Sequence, residues 1–266
     1  MKNILFKSVC LVLLCCGAAL TANAQGIKVV KKNGTVVYYK ASEVESVGVY
    51  GYGEEPEPTI SGKDANGRAW VDLGLPSGTK WATCNVGANE PEDYGDYFAW
   101  GETEKKDDYS KSKYKFYSPN SYGTLKLTKY CTVSSYGTVD DKTELEPEDD
   151  AATVNWGNGW QMPSAEQMAE LYDDRYTTTS WTNQKGINGW LIVSKKNDNR
   201  IFLPAAGYKD GMTPKYESEW GHYWSRTLNT NGCNEGSYLD FYSAQLYLSY
   251  TFRYEGLSVR PVRVGK

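Results

Sequence analysis

The chain has 266 residues, of which 40% are hydrophobic, 14% aromatic and 23% charged, and its formal net charge is −4. Nucleic acid and anionic membrane both demand a concentrated positive face, which this balance does not supply, so neither is an expected partner. Its 22 tyrosines, 9 tryptophans and 26 glycines suit a β-rich extracellular module better than a helical enzyme.

In chain order, residues 1–24 read as a secretory signal. Lys2 and Lys7 precede an apolar run to Leu14, and small residues end at Ala22-Asn23-Ala24, which places cleavage before Gln25. The run is shorter than the ~20 residues of a spanning helix. A lipid anchor on Cys15 or Cys16 would need a small residue where Leu14 and Cys15 stand. Cleavage removes two of the 29 basic residues and none of the 33 acidic ones, moving the net charge from −4 to −6. It also removes Cys10, Cys15 and Cys16. Cys84, Cys131 and Cys233 remain, which leaves three pairings open for one disulfide, or three small buried hydrophobes.

Residues 25–50 form a small N-terminal β unit in this reading. "IKVVKK" and "TVVYYK" flank Asn33-Gly34, a type I′ hairpin signal. Ser42 and Glu45 fit a capping box for one helical turn, and Val47, Val49 and Tyr50 offer a third strand. Residues 51–59 are linker in composition. The main domain spans 60–266. Two short strands surround Pro76-Ser77-Gly78, a turn set by Pro and Gly. The stretch 88–148 reads mostly as loop, with the order of 104–148 left open. "DDAATVNW" is a short helix with Asp149 and Asp150 at its positive end. "PSAEQMAELYDD" is the clearest helix, capped by Ser164 and Gln167, with Ala165, Met168, Leu171 and Tyr172 on its apolar face. A hairpin then turns at Asn197-Asp198-Asn199, and "GHYWSRTL", "SYLDFYS", "AQLYLS" and "LSVRPVRV" close the chain as strands. Two short helices among many strands and long loops predict an α+β domain.

Little of this composition suits catalysis. His222 is the single histidine. A zinc site wants several His or Cys at set spacing, and no nucleophile motif accompanies His222, so a structural role is expected. The acidic stretches 89–96 and 144–150 gather carboxylates that calcium could use, against a plainer reading as solvated loops and a helix N-terminus. No cofactor, metal or catalytic residue is expected.

Five stretches point to a family: "VDLGLPSGTKWATCNVGANEPEDYGDYFAWGET", "DDAATVNWGNGWQMPS", "IFLPAAGY", "GHYWSRT" and "GLSVRPV". In this order they resemble the Fibrobacter succinogenes major paralogous domain family. The segment "KVVKKNGTVVYYKASEVESVGVY" is similar to the leader unit of such proteins secreted by gut Bacteroidales. The resemblance implies a C-type lectin-like fold of the formylglycine-generating-enzyme branch. That fold has two short helices, small mixed or antiparallel sheets and long loops. At the end of the central helix many relatives carry a cysteine, where this chain reads Tyr172-Asp173-Asp174-Arg175, so Cys131 lacks that partner. The branch's oxidases hold copper with two neighbouring cysteines, whereas Cys233 has no second cysteine near it in sequence. The calcium-binding triplets of sugar-binding C-type lectins are absent too.

Strict alternation turns Leu246, Leu248, Tyr250, Phe252 and Tyr254 inward, whereas the resemblance makes "YTFRYE" a surface loop. It also implies that Tyr238, Tyr242, Tyr247, Ser249, Tyr250, Thr251, Phe252, Tyr254 and Glu255 form a displayed, ligand-binding surface. Period-2 reasoning independently exposes Tyr238, Tyr242 and Tyr247, opposite Leu239, Phe241 and the Leu246/Leu248 pair, and leaves Tyr250, Phe252 and Tyr254 open. Trp220 and Trp224 are expected in the core or at its rim. The expected function is a secreted, periplasmic or outer-surface binding module, without catalysis, for an extracellular protein or glycan. The alternatives are a structural component of a surface assembly, attached through the N-terminal unit, and a degenerate oxidase of the formylglycine-generating type.

Overall fold

A computed structural model describes residues 26–30, 36–40 and 59–263. The chain divides into two compact units, Met1–Glu55 and Pro56–Lys266. In the first, β1 (Gly26–Val30) and β2 (Val36–Lys40) pair antiparallel, Val30 opposite Val36. The expected signal segment, Asn33-Gly34 turn, Ser42–Glu45 turn, strand at 47–50 and most of the linker lie outside the described residues.

The second unit carries sixteen described strands. They begin with β3 (Gly62–Lys63), β4 (Ala69–Asp72), β5 (Lys80–Ala82), β6 (Tyr97–Phe98), β7 (Tyr117–Pro119) and β8 (Leu125–Leu127). Next come β9 (Thr177–Gln184), β10 (Ile187–Ser194), β11 (Arg200–Pro204), β12 (Tyr208–Asp210) and β13 (Thr213–Lys215). β14 (Trp220–Leu228), β15 (Glu235–Tyr242), β16 (Gln245–Phe252), β17 (Leu257–Ser258) and β18 (Val262–Arg263) complete the set. Two short helices, α1 (Ala151–Trp156) and α2 (Ala165–Ala169), interrupt them.

The expected α+β class is therefore corrected. Strand accounts for 41% and helix for 9%, in several small, mainly antiparallel sheets, so the fold is β-rich. The helix signals were local and real: Asp150 accepts from the Thr153 amide, and Ser164 and Gln167 close a capping box. Both helices then stop within two turns. α1 ends at Gly157, whose φ of 91° leaves the helical region, and α2 tightens into a 3₁₀ turn at Glu170–Tyr172. Neither is long enough to form a layer of its own.

The largest sheet has the order β16-β15-β14-β17-β6. Alternation sends its side chains into two cores. Tyr223, Leu239 and Phe241 join α2's Met168 and the β10–β11 residues Ile192, Ile201 and Leu203. Trp224 and Tyr238 join Phe98, Trp100 and Leu257 on the other side. The stretch read as loop feeds this second core, burying Tyr109, Tyr114, Phe116, Leu127 and Tyr130.

Two buried arginines tie loops to the sheets. Arg260 donates to the carbonyls of Ala82 and Thr83 and to Asn85 Oδ1. Arg253 donates to the carbonyls of Lys129, Tyr130 and Cys233 and to Tyr114 Oη, and lies over the Trp100 ring at 4.7 Å. Such charge-assisted bonds satisfy carbonyls that no strand partner reaches. Cys131 and Cys233 come together, Sγ to Sγ 2.8 Å, while Cys84 stands apart as a half-buried thiol.

Candidate functional site

The register of β14, β15 and β16 builds three rows across one sheet face: Trp220–Tyr242–Gln245, His222–Asp240–Tyr247 and Trp224–Tyr238–Ser249. Asp240 is the hub of the middle row. It is 3% exposed, and its Oδ2 accepts from Tyr247 Oη at 2.9 Å and Tyr238 Oη at 3.1 Å. Its Oδ1 lies 3.2 Å from His222 Nε2. Neither of those two atoms is aligned on the other as a hydrogen bond, so this is a close polar contact and no more. Burial alone would raise the Asp240 carboxyl, but the imidazole and the two hydroxyls outweigh it and hold the group below the usual carboxylate range. Burial and the adjacent carboxylate push the Tyr247 hydroxyl up to about 12. Tyr238 moves the same way. Both therefore stay protonated as donors.

Aromatic rings enclose the imidazole. Tyr208 stacks on His222 at 4.8 Å, Tyr238 tilts at 5.0 Å, and Trp220 meets it edge-on at 5.8 Å. His222 Nδ1 is buried without a partner. A near-parallel series runs outward from Tyr208 to Tyr216 (6.1 Å), Trp220 (5.3 Å) and Tyr242 (5.4 Å). Tyr216 is half exposed at its rim.

The expected site residues divide under this geometry. Tyr247, Tyr250 and Phe252 are exposed, at 36%, 56% and 42%. Tyr242, Ser249, Thr251, Tyr254 and Glu255 are half-buried. Tyr238 is corrected: it is 6% exposed and belongs to the core. Period 2 placed it opposite Leu239, but this sheet has a core on both faces. "YTFRYE" is corrected as well, since β16 continues unbroken to Phe252 and only the residues after it turn. Tyr250 and Phe252 share the face of Leu246 and Leu248, yet lie opposite Ser237 and Glu235, beyond that core. Phe252 stacks on Tyr254 at 5.2 Å. Glu255 accepts from Thr251 Oγ1 at 2.6 Å, and burial pushes its carboxyl up.

Sequence reasoning missed Asp240, Tyr208 and Tyr216, and gave His222 no partner. Pairing "GHYWS" with "SYLDFYS" in hairpin register would have set His222 opposite Asp240.

The acidic stretches are already engaged. The one convergence of three acidic groups among the described residues, Glu146, Glu148 and Asp149, holds the Lys129 ammonium, 2.5 Å from Glu146 and 2.6 Å from Asp149. Glu92 pairs with Lys185 at 2.6 Å and Asp96 with Lys105 at 2.9 Å. Cys233 does have a neighbouring thiol in space, Cys131, which sequence distance concealed. Both sulfurs are sealed from solvent. Burial and the adjacent thiol push Cys131 up to about 11, which suits an inert pair rather than a thiolate site.

No described helix is long and apolar enough to cross a membrane. A family model described as a domain of unknown function (DUF8237) matches residues 161–262. No curated protein and no solved structure matches the chain. The matched span contains the whole ring-and-carboxylate cluster, from Tyr208 to Glu255.

Proposed function

We propose that this chain is a non-catalytic recognition module, secreted or surface-exposed, that binds a protein or glycan through the aromatic face of β14, β15 and β16. The carrying observation is the Asp240 hub, which fixes the exposed Tyr247 on the sheet face that also carries Trp220 and Tyr242. Tyrosine gives large contact area with little rotamer freedom to lose, and a strand holds it better than a loop does. The stacked rings cover one another's faces, so what they offer a ligand is mainly hydroxyl-bearing edges plus the outer face of Tyr242. A catalytic role fits less well, because His222 is closed in by Tyr208 and Tyr238 and no hydroxyl or thiol nucleophile hydrogen-bonds to it among the described residues.

The test combines a glycan array with pull-down from gut-derived material, using the wild type and Tyr247→Ala and Trp220→Ala variants. Loss of capture by both variants, with a melting temperature close to wild type for Tyr247→Ala, is the expected result. Undiminished capture by both would overturn the proposal. Metal analysis of the purified chain addresses the oxidase alternative directly: copper at one equivalent would favour it.

A further inference from the structure

The five-stranded sheet has two unlike edges. At one end β6 is two residues long and buried. At the other lies β16, eight residues reading Gln-Leu-Tyr-Leu-Ser-Tyr-Thr-Phe, none of them buried. Proteins ordinarily guard such an edge with a charge, a proline, a bulge or a covering segment. β16 has no charge and no proline, its register with β15 runs unshifted from Gln245 to Phe252, and among described strands it pairs with β15 alone. β9 is also an uncharged edge strand of eight residues, but it is rich in hydroxyls and buried at both ends, Thr177 and Gln184.

The direction of the free backbone groups follows from one bond. Arg253 N donates to Asn234 O at 3.1 Å, on the β15 side. Amides alternate along a strand, so those of Leu246, Leu248, Tyr250 and Phe252 point away from β15. These four residues also share one side-chain face. Leu246 and Leu248 pack only partly on the core, and Tyr250 and Phe252 overhang it.

We propose that β16 pairs antiparallel with β16 of a second copy of this chain, in register about Ser249. That register sets Leu248 of each copy opposite Tyr250 of the other, and Leu246 opposite Phe252. The overhanging rings then cover the half-covered leucines, as aromatic–aliphatic pairs do across strands. The Leu248 and Tyr250 backbones exchange hydrogen bonds. At the ends the ladder is limited, because Phe252 O already accepts from Glu255 N at 3.0 Å. The seam holds no ionisable carboxylate or amine, so the chain's net negative charge does not meet itself there. The ring series of the opposite sheet face remains free, and this inference does not depend on it.

Sedimentation of the purified full chain over a concentration series tests the proposal. A concentration-dependent doubling of mass is expected. Ser249→Lys sets like charges opposite each other and weakens association by about tenfold or more, whereas Ser249→Thr preserves it. Ser249→Cys sets two thiols against each other across the seam, and mild oxidation links the copies; Thr251→Cys, opposite Tyr247, does not link. A chain that stays monomeric at every concentration would overturn the inference. So would a dimer unaffected by Ser249→Lys, or equal linking of Ser249→Cys, Thr251→Cys and the wild type.

Discussion

β15 and β16 lie side by side and read alike, "SYLDFY" beside "LYLSYTF", yet they have opposite fates. β15 has a strand on each side and a core on each face, so Tyr238, Leu239, Asp240 and Phe241 are all buried. β16 has one strand neighbour and reaches beyond the cores, so Tyr247, Tyr250 and Phe252 meet solvent. The same residue types therefore act as core in one strand and as display in the next. What separates them is position in the sheet.

Substitutions that match residue type across the two strands should break this comparison if it is wrong. Phe241→Ala has the largest expected effect. It removes a ring stacked on Tyr223 at 5.7 Å and should lower unfolding free energy in urea by about 3–5 kcal/mol. Asp240→Leu leaves the Tyr238 and Tyr247 hydroxyls without their acceptor, and a loss of about 1–3 kcal/mol is expected. Its pH signature is separable. A carboxyl held low in the folded state adds stability above its unfolded value of about 4, and loses it as pH falls through the folded value. Asp240→Asn should therefore flatten stability below about pH 4 relative to wild type. Tyr247→Phe removes one donor to Asp240 at a half-open site and should cost about 0.5–1.5 kcal/mol. Tyr250→Ala should be smallest, within about 0.5 kcal/mol, because its ring meets chiefly solvent in the monomer. A cost for Tyr250→Ala comparable to that for Phe241→Ala would erase the distinction between the strands.

Local chemistry was well marked in the sequence. Pro76-Ser77-Gly78 turns between β4 and β5 with Gly78 at φ 68°, because only a residue without Cβ takes that conformation freely. The Asn197-Asp198-Asn199 turn joins β10 and β11 with Asp198 at φ 58°. The Ser164–Gln167 cap of α2 and the acidic residues at the start of α1 were equally plain. Properties set by distant neighbours were not. β9 went unread although its threonines favour strand, because its partner β10 supplies the pairing and Lys185-Gly186, both at positive φ, makes the turn. Arg253 stood in a presumed loop, and nothing in "TFRYE" announces a guanidinium sealed among four rings. Tyr238 followed the alternation rule, but that rule assumes one wet face. Of the ring cluster, the alternation of β15 and β16 put Tyr242 and Tyr247 on one face, while Asp240 and Tyr208 required the fold.

The brevity of β6 has a stoichiometric consequence. A sheet open at both rims can recruit copies without limit, as fibres do. Here the far rim is a two-residue stub, so extension along this sheet ends once two molecules have met. Finite assembly, on this view, is written into the strand farthest from the contact.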